Sequence, residues 1–248
     1  MTSVSILLPT VDRPEFLLEA LGTVARQTHP ELELILVRDG GAPLREDARE
    51  AIERLEFPVH LVEHDGPPRG LANARNAGLE RVRADAVALL DDDDLWEPEH
   101  VSSLAAALDN DSTVDVAYSD VRVLDVASGE TRTIARDFDA AVFGRDGFIP
   151  PSSLAARRAA FERFGNFDST MTFSEDWDWL LRVHRGGGKL RRARGGGATA
   201  TIRIHSGGLS ALSSARLDDR RRCLAVLSER YALAPIEPKT FWEVAASL

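Results

Sequence analysis

The sequence has few of the features that mark secreted and membrane-spanning proteins. It holds one cysteine, Cys223, so neither an intrachain disulfide nor a cysteine-rich zinc site can form. No apolar run approaches the roughly 18 residues that a membrane-spanning helix needs. The N-terminal residues lack the basic region and the long apolar stretch of a signal peptide. We therefore expect a soluble, cytoplasmic protein with no transmembrane segment.

The sequence also has fewer basic than acidic residues. Thirty Lys and Arg residues stand against 40 Asp and Glu residues, which gives a formal net charge of −10. Nucleic-acid binding relies on a basic face that neutralises phosphates, so we expect no nucleic-acid partner. The same excess of acid argues against docking on an anionic membrane by bulk charge.

The order of apolar and amphipathic segments predicts an α/β fold. Short apolar bursts alternate with amphipathic stretches as far as about residue 119, in the order β-α-β-α-β-α-β. This order is typical of a mostly parallel sheet with helices on both faces. We predict strands at Val4–Leu8, Leu32–Val37, Val59–Val62, Ala86–Leu90 and Val114–Tyr118, with helices at Pro14–Arg26, Leu44–Leu55, Leu71–Val82 and Pro98–Leu108.

The pattern changes after residue 119, so we divide the chain into halves at 1–119 and 120–248. Residues 121–134 alternate around Ser128-Gly129, which predicts a hairpin. Residues 135–156 have weak periodicity. Helices are predicted at Arg157–Phe164, Asp176–His184 and Ala215–Tyr231, and a strand at Ala198–Ile204. Glycine triplets at 186–188 and 195–197 bracket the basic segment Lys189–Arg194.

The most informative feature is a run of four carboxylates. The apolar run Ala86–Leu90 reads as a buried parallel strand, and Asp91–Asp94 follow it directly. Adjacent carboxylates repel one another, and this cost is offset if a cation or a metal–polyphosphate complex sits there. Ligands of open α/β sheets bind outside the carboxyl ends of the strands, and oxygen-rich clusters suit Mg²⁺ or Mn²⁺. An acidic turn that caps the next helix is the alternative.

Two further polar loops follow strands at the same predicted edge. Residues 9–14 follow the first strand, where Asp12 is expected to cap the helix that starts near Pro14. Asp39, after the second strand, can accept hydrogen bonds from a nucleobase, and the glycines behind it allow a ring to approach the backbone. Between these loops and the third, Arg75 is predicted to pair with Asp91 or with a phosphate.

The ordered set of motifs resembles family 2 glycosyltransferases of the GT-A fold. The first half carries Pro-Thr-x-Asp-Arg after one strand, Asp-Gly after the next, Arg-Gly-x-Ala-x-Ala-Arg-Asn-x-Gly, and Leu-Asp-x-Asp-Asp-x-Trp-x-Pro. The second half adds Ile149-Pro150-Pro151-Ser152-Ser153, Phe164-Gly165-Asn166-Phe167-Asp168, a Glu175-Asp176-Trp177 segment and Ile202-Arg203-Ile204-His205. The resemblance spans residues 4–207 and implies a GT-A-like (Rossmann-like) sheet whose C-terminal half binds the acceptor.

The resemblance also implies roles for individual residues. Asp91–Asp93 correspond to the Asp-x-Asp motif, with Asp93 as direct ligand of Mn²⁺ or Mg²⁺ and Asp91 near the ribose or a metal-bound water. Asp176 corresponds to the general base that deprotonates the acceptor hydroxyl, and His205 to a position that assists metal or diphosphate binding. The sugar-nucleotide site would be formed by Pro9, Thr10, Asp12, Arg13, Asp39, Arg75, Asp91 and Asp92.

The implied reaction is an inverting transfer of one sugar from a nucleoside-diphosphate sugar (UDP, dTDP or GDP) to an acceptor hydroxyl. Arg38 and Gly41 depart from frequent family residues, which leaves the base open. No Gln-x-x-Arg-Trp segment follows Glu175-Asp176, which favours a single transfer over polymer synthesis. Trp177 and Trp179 flank Asp178, next to the proposed base, and we expect one of them to be core. Trp96 is expected to pack, and a homo-oligomer is possible.

Other interpretations are weaker. A haloacid-dehalogenase-like phosphatase carries its Asp-x-Asp on an early strand, whereas here the cluster follows the fourth. A nucleotidyltransferase is closer in architecture, but no glycine-rich phosphate cradle or P-loop is present. A degenerate GT-A domain that only binds nucleotide sugar is opposed by the intact Asp91–Asp93 and Asp176. The segment 186–197 is either a lid whose cations close over the diphosphate or a solvated loop without a catalytic part.

Overall fold

The computed structural model describes residues 1–207 and 214–248. The chain alternates strands and helices through its first half and is more irregular in its second. The strands are β1 Val4–Thr10, β2 Leu32–Asp39, β3 Val59–His64, β4 Ala86–Leu89, β5 Leu95–Trp96, β6 Val116–Tyr118, β7 Val121–Asp125, β8 Thr131–Ile134, β9 Leu154–Arg157, β10 Leu190–Arg192 and β11 Ala200–Ile204. The helices are α1 Pro14–Val24, α2 Glu46–Glu53, α3 Leu71–Leu79, α4 His100–Asp109, α5 Ala140–Asp146, α6 Arg158–Phe164, α7 Glu175–Arg185, α8 Ser214–Arg230 and α9 Phe241–Ser247.

A seven-stranded sheet forms the centre of the fold, in the order β10-β6-β9-β4-β1-β2-β3. Strand β1 lies between β4 and β2 and pairs with both in parallel, with Ile6 opposite Ala88 and Leu34. Every residue of β1 and β4 is buried, as expected for strands covered on both faces by helices. The mostly parallel α/β sheet predicted from the sequence is confirmed.

A smaller sheet, in the order β5-β11-β7-β8, packs beside the main one. Its β7 and β8 form the hairpin predicted around Ser128-Gly129, and Gly129 adopts a φ of 72° to close the turn. Strand β11 confirms the strand predicted at the end of the second half, and it pairs in parallel with β7. Helix α9 packs against β7, β8 and β11.

Two strands of the main sheet were not predicted from the sequence. Strand β9 runs antiparallel between β4 and β6, where the periodicity is weak and Arg157 was assigned to a helix. Strand β10 occupies the middle of the basic segment that was expected to be a loop, and it pairs in parallel with β6. Both strands have four residues or fewer, so their pairing depends on the neighbouring strands and leaves no periodic pattern.

Strands β9 and β10 lie beyond residue 119, yet they complete the main sheet. The segments 1–119 and 120–248 therefore share a sheet, and the division between them stays a prediction. In the part of the chain that the structure describes, no helix combines the length and apolar character needed to cross a membrane.

Candidate functional site

The three polar loops lie side by side because their strands are neighbours. Strand β1 has β4 on one side and β2 on the other, and all three run parallel. Their carboxyl ends therefore open at one edge of the sheet, where ligands of open α/β sheets bind. A cavity of about 160 Å³ lies at this edge. Of the predicted site residues, Pro9, Arg13, Arg75, Asp91, Asp92, Asp93 and Asp176 line it.

The four aspartates divide into an inner and an outer pair. Asp92 and Asp94 are buried, whereas the side chains of Asp91 and Asp93 keep exposed fractions of 23% and 14%. Asp94 accepts hydrogen bonds from the Ser152 hydroxyl at 2.6 Å and the Arg203 backbone N–H at 3.0 Å. Burial raises the pKa of Asp94 well above its ordinary value and that of Asp92 to about 7. All four residues line the cavity, but the inner pair builds the turn and the outer pair presents the more exposed carboxylates.

Arg13 supplies the positive charge that this cluster needs. Its guanidinium contacts the carboxylate of Asp92 at 2.6 Å and also that of Asp93. Burial acts to lower the pKa of Arg13, but the three nearest aspartates outweigh it, so the pKa is raised. Thr10 donates a hydrogen bond to Asp92 at 2.7 Å. Thr10 and Arg13, both predicted for the donor site, therefore hold the loop of residues 91–94 (the aspartate loop) in place.

The prediction that Asp12 caps α1 is wrong. The capping position is occupied by Arg13, which makes no side-chain cap. Asp12 has a φ of 47°, and its carboxylate turns away to accept a hydrogen bond from the Ala42 N–H at 2.7 Å. A Cβ atom at Gly41 would collide with that carboxylate, and Gly41 itself has a φ of 72°. The glycine is required here because the side chain of one loop crosses the backbone of another.

Asp39 orders the segment before α3. Its carboxylate accepts hydrogen bonds from the backbone N–H groups of Arg69 at 2.9 Å and Gly70 at 2.8 Å, and the residue is buried. Thr10, Asp12, Asp39 and His205 do not line the cavity itself in the part of the chain described. Their assignment to the nucleotide and metal sites remains a prediction.

Arg75 joins the aspartate loop to α7. Its fully buried guanidinium contacts Asp91 at 2.5 Å and the carboxylate of Glu175. Of the two partners predicted for Arg75, Asp91 or a phosphate, the structure shows Asp91. Burial acts to lower the pKa of Arg75, but the neighbouring carboxylates outweigh it, so the pKa of Arg75 is raised. Burial also raises the pKa of Glu175 to about 7. The linking role of Glu175 was missed, because acids in a first helical turn normally suggest only a dipole effect.

Asp176 follows Glu175 in the first turn of α7 and lines the cavity. Among the described residues, its carboxylate has no hydrogen bond or ion pair with another side chain. Burial raises its pKa, which Arg75 opposes. The preceding Ser174 has a φ of 59°, a strained conformation of the kind that clusters at functional sites. A half-buried carboxylate with a raised pKa and no partner is suited to accept a proton.

The two tryptophans that follow Asp176, at positions 177 and 179, have different environments. Trp179 is fully buried and stacks on Phe161 with ring centroids 4.3 Å apart. Trp177 lines the cavity and donates a hydrogen bond to the backbone carbonyl of Phe143 at 3.0 Å. The predictions that one of them is core and that Trp96 packs are confirmed, since Trp96 is buried against His100.

The outer aspartates, Asp91 and Asp93, are the candidate ligands for a divalent cation. No group of three His, Cys, Asp or Glu residues within 1–207 and 214–248 is arranged to hold a metal. Mg²⁺ and related ions, however, are often bound through one or two carboxylates together with substrate phosphates. Asp93 meets that requirement, and His205 Nε2 lies 3.1 Å from its Oδ2. The residues fit a cation site that is complete only with a bound diphosphate.

The basic segment beside β10 does not reach the cavity. Arg191 pairs with Asp111 at 2.9 Å, Arg192 with Asp120 at 2.5 Å, and Arg194 with Asp137 at 2.8 Å. These contacts lie at the outer edge of the main sheet, three strands from β4. The observed strand therefore fits neither the lid nor a free loop.

The C-terminal elements complete the cavity, a role that was not predicted from the sequence. Helix α8 and the segment through α9 bring Arg220, Lys239, Phe241 and Val244 to its lining, beside Arg145 and Asp146 from the end of α5. The amphipathic helix was predicted, but no spacing indicated which of its many arginines faces the site.

Comparison with known proteins agrees with this geometry. An uncharacterized glycosyltransferase of Bacillus subtilis, YwdF, is 27% identical over 250 residues, covering 96% of this chain and 87% of that protein. The structure of Staphylococcus aureus TarS 1-349 in complex with UDP-GlcNAc superposes with a TM-score of 0.73 at 16% identity, covering 99% of this chain and 71% of TarS 1-349.

A second solved structure is the mannosyltransferase PcManGT from Pyrobaculum calidifontis in complex with GDP-Man and Mn²⁺. It superposes with a TM-score of 0.66 at 18% identity, covering 99% of this chain and 68% of that one. These structures share the GT-A fold with the chain. Residues 5–178 match the family described as Glycosyl transferase family 2. With the parallel sheet, the aspartate loop and these relatives together, the chain belongs to glycosyltransferase family 2 and is an enzyme of that class.

Proposed function

We propose that the enzyme transfers one sugar, with inversion, from a nucleoside-diphosphate sugar to an acceptor hydroxyl. The observation that carries the proposal is that one cavity holds the outer aspartates Asp91 and Asp93 and, across Arg75, the carboxylate of Asp176, which has no side-chain partner in the described part of the chain. The aspartates suit the divalent cation that would accompany a donor diphosphate, and Asp176 suits the hydroxyl of an acceptor. The nucleotidyltransferase alternative lacks such support, because the relatives are glycosyltransferases.

In the proposed reaction, Asp176 accepts the proton of the acceptor hydroxyl as its oxygen attacks the anomeric carbon. A bond forms between these two atoms while the bond from the anomeric carbon to the diphosphate oxygen breaks. The electron pair leaves with the nucleoside diphosphate, and attack opposite the leaving group inverts the anomeric centre. A positioned carboxylate contributes about 10²–10⁴-fold to such a step.

Stabilisation of the leaving group falls to the other end of the cavity. Asp93 and Asp91 would hold Mn²⁺ or Mg²⁺, with His205 next to Asp93, and a bound cation supplies Lewis-acid stabilisation of the diphosphate. Arg13 contacts Asp92 and Asp93 and so places a fixed positive charge beside that position. Arg75 contacts both Asp91 and Glu175 and so holds the aspartate loop next to the start of α7, the helix that carries Asp176.

The nucleoside is proposed to lie over the loops after β1 and β2, with Pro9, Thr10, Asp12 and Asp39. The related structures carry UDP-GlcNAc and GDP-Man, which supports a UDP or GDP sugar as donor, and dTDP is the third candidate from the sequence. Both backbone N–H groups bind Oδ2 of Asp39, so Oδ1, which lies 3.4 Å from Arg69 Nε, is the oxygen that would accept a hydrogen bond from a base.

A thermal-shift panel of UDP, dTDP and GDP, each with and without Mn²⁺, tests this assignment. A ligand that binds only the folded state raises the midpoint according to its concentration and affinity. We expect one nucleotide to give the largest shift, and the shift to increase with Mn²⁺. No shift with any nucleotide in the presence of Mn²⁺ would contradict the proposal.

A further inference from the structure

The wall of the cavity built by the C-terminal elements is rich in cations. Arg145 and Asp146 end α5, Arg220 comes from α8, and Lys239 precedes α9. Asp146 is buried and is shared by Arg145 and Lys239, both at 2.6 Å. One carboxylate therefore balances two cations, and this corner of the wall retains a positive charge.

Arg220 adds a second uncompensated charge. Its guanidinium donates a hydrogen bond to the backbone carbonyl of Lys239 at 2.5 Å. Within residues 1–207 and 214–248, no carboxylate lies within ion-pair distance of it. Burial lowers the pKa of Arg220, which the charges of Asp176 and Glu243 only partly oppose. A desolvated cation without a paired anion is costly, so this position is suited to an anion that arrives with a ligand.

The acidic groups near Arg220 are already engaged or exposed. Glu243 closes the capping box of α9 by accepting hydrogen bonds from the Thr240 N–H and hydroxyl. Glu237 lines the cavity but is exposed to solvent. Asp176 is the proposed base and must stay free to take a proton. None of these carboxylates occupies the guanidinium.

The remaining cavity arginines have carboxylate partners in the described structure. Arg13 contacts Asp92 and Asp93, and Arg75 contacts Asp91 and Glu175. Arg203 contacts Glu19. Among residues 1–207 and 214–248, Arg220 thus differs from them in having a backbone carbonyl as its one hydrogen-bond partner, and it lines the same cavity as Asp176.

We propose that Arg220, with the Arg145–Asp146–Lys239 cluster beside it, binds an anionic group of the acceptor and so orients the neighbouring hydroxyl toward Asp176. This inference rests on the proposed function, since it assigns the acceptor class of that same site. A phosphate and a carboxylate share the chemistry that a guanidinium fork recognises. The acceptor is accordingly a hydroxyl compound that carries a phosphate or a carboxylate near the hydroxyl.

The test uses the full chain with UDP, dTDP or GDP and Mn²⁺, whichever nucleotide gives the largest thermal shift. Binding of glycerol, glycerate and glycerol 3-phosphate is measured by calorimetry at constant ionic strength. We compare Arg220→Gln with Arg221→Gln, because Arg221 is exposed on the same helix and pairs with Asp218. Arg220→Lys keeps the charge and serves if the Gln variant folds poorly.

We expect both anionic probes, or one of them, to bind more tightly than glycerol. Arg220→Gln should weaken that binding by about tenfold or more, with nucleotide affinity unchanged, whereas Arg221→Gln should match the wild type. Whether glycerate or glycerol 3-phosphate binds better identifies the anion.

Two outcomes would overturn the inference. Equal binding of anionic and neutral probes would remove the anion site. A large loss of nucleotide affinity in Arg220→Gln would assign Arg220 to the donor diphosphate instead. If no nucleotide binds the wild type, the proposed function itself fails, and the probe measurements still report separately on the anion site.

Discussion

The two sides of the cavity are built in different ways. The donor side comes from loops that directly follow β1, β2 and β4, and its charges are paired with one another through Arg13 and Arg75. The proposed acceptor side comes from α7, α8 and the segment before α9, and it holds a carboxylate and a guanidinium that have no ionic partner among the described residues. The side proposed to receive the metal–diphosphate complex is thus prearranged, whereas the side proposed to receive the acceptor leaves reactive groups free.

The largest effect is expected on the donor side. Asp93→Ala should abolish transfer and the Mn²⁺-dependent part of the thermal shift, because the proposed cation loses its direct ligand and the diphosphate charge is less compensated. Turnover and thermal shifts measure both. The control is Asp137→Ala, which removes an exposed acid paired with Arg194. Wild-type turnover by the Asp93 variant in chelator-treated buffer would refute the assignment.

On the acceptor side, Asp176→Asn should reduce turnover by about 10²-fold or more while nucleotide affinity hardly changes. The amide keeps the size of the side chain but cannot accept the proton. Because burial raises the pKa of Asp176, wild-type turnover should fall as the pH drops through a value above the ordinary aspartate range, since only the carboxylate is a base. The variant should lose that acidic limb. A strong loss of nucleotide affinity would instead move Asp176 to donor binding.

The connection between the two sides should matter for stability. Arg75→Met leaves Asp91 and Glu175 without their buried partner, so we expect the free energy of unfolding to fall by about 3–5 kcal/mol. Denaturant titration measures it. Arg54→Met, which removes an exposed ion pair with Glu50, should change it little. Equal stability of both variants would show that Arg75 does not carry the link.

The smallest effect is expected at the sheet edge outside both sides. Replacing Arg191, Arg192 and Arg194 together with Gln should leave diphosphate and nucleoside affinities unchanged, because these side chains pair with Asp111, Asp120 and Asp137. Titration with UDP and uridine compares the two. If the triple variant lost affinity for UDP but not for uridine, the segment 186–197 would act as a lid over the diphosphate and would belong to the donor side.

Much of the fold was predictable, because long buried strands and amphipathic helices leave periodic patterns. The strands now seen as β1, β2, β4 and the β7–β8 hairpin follow such patterns. Strands β9 and β10 do not, since three or four residues between stronger strands are held by pairing alone. The helix cap assigned to Asp12 failed for a similar reason, because a contact from the next loop outcompeted the local one.

The sequence by itself determined the alternating strands and helices, the aspartate loop that follows the fourth of these strands and the acid pair at the start of α7, because each is specified by residues close together in the chain. Only the tertiary structure decided how the charges pair. Arg75 meets Glu175 across 100 positions, and Arg220 reaches the cavity beside Asp176 from the C-terminal helix. The physical reason is that desolvation and Coulomb interaction depend on distance in space, which spacing along the chain does not specify.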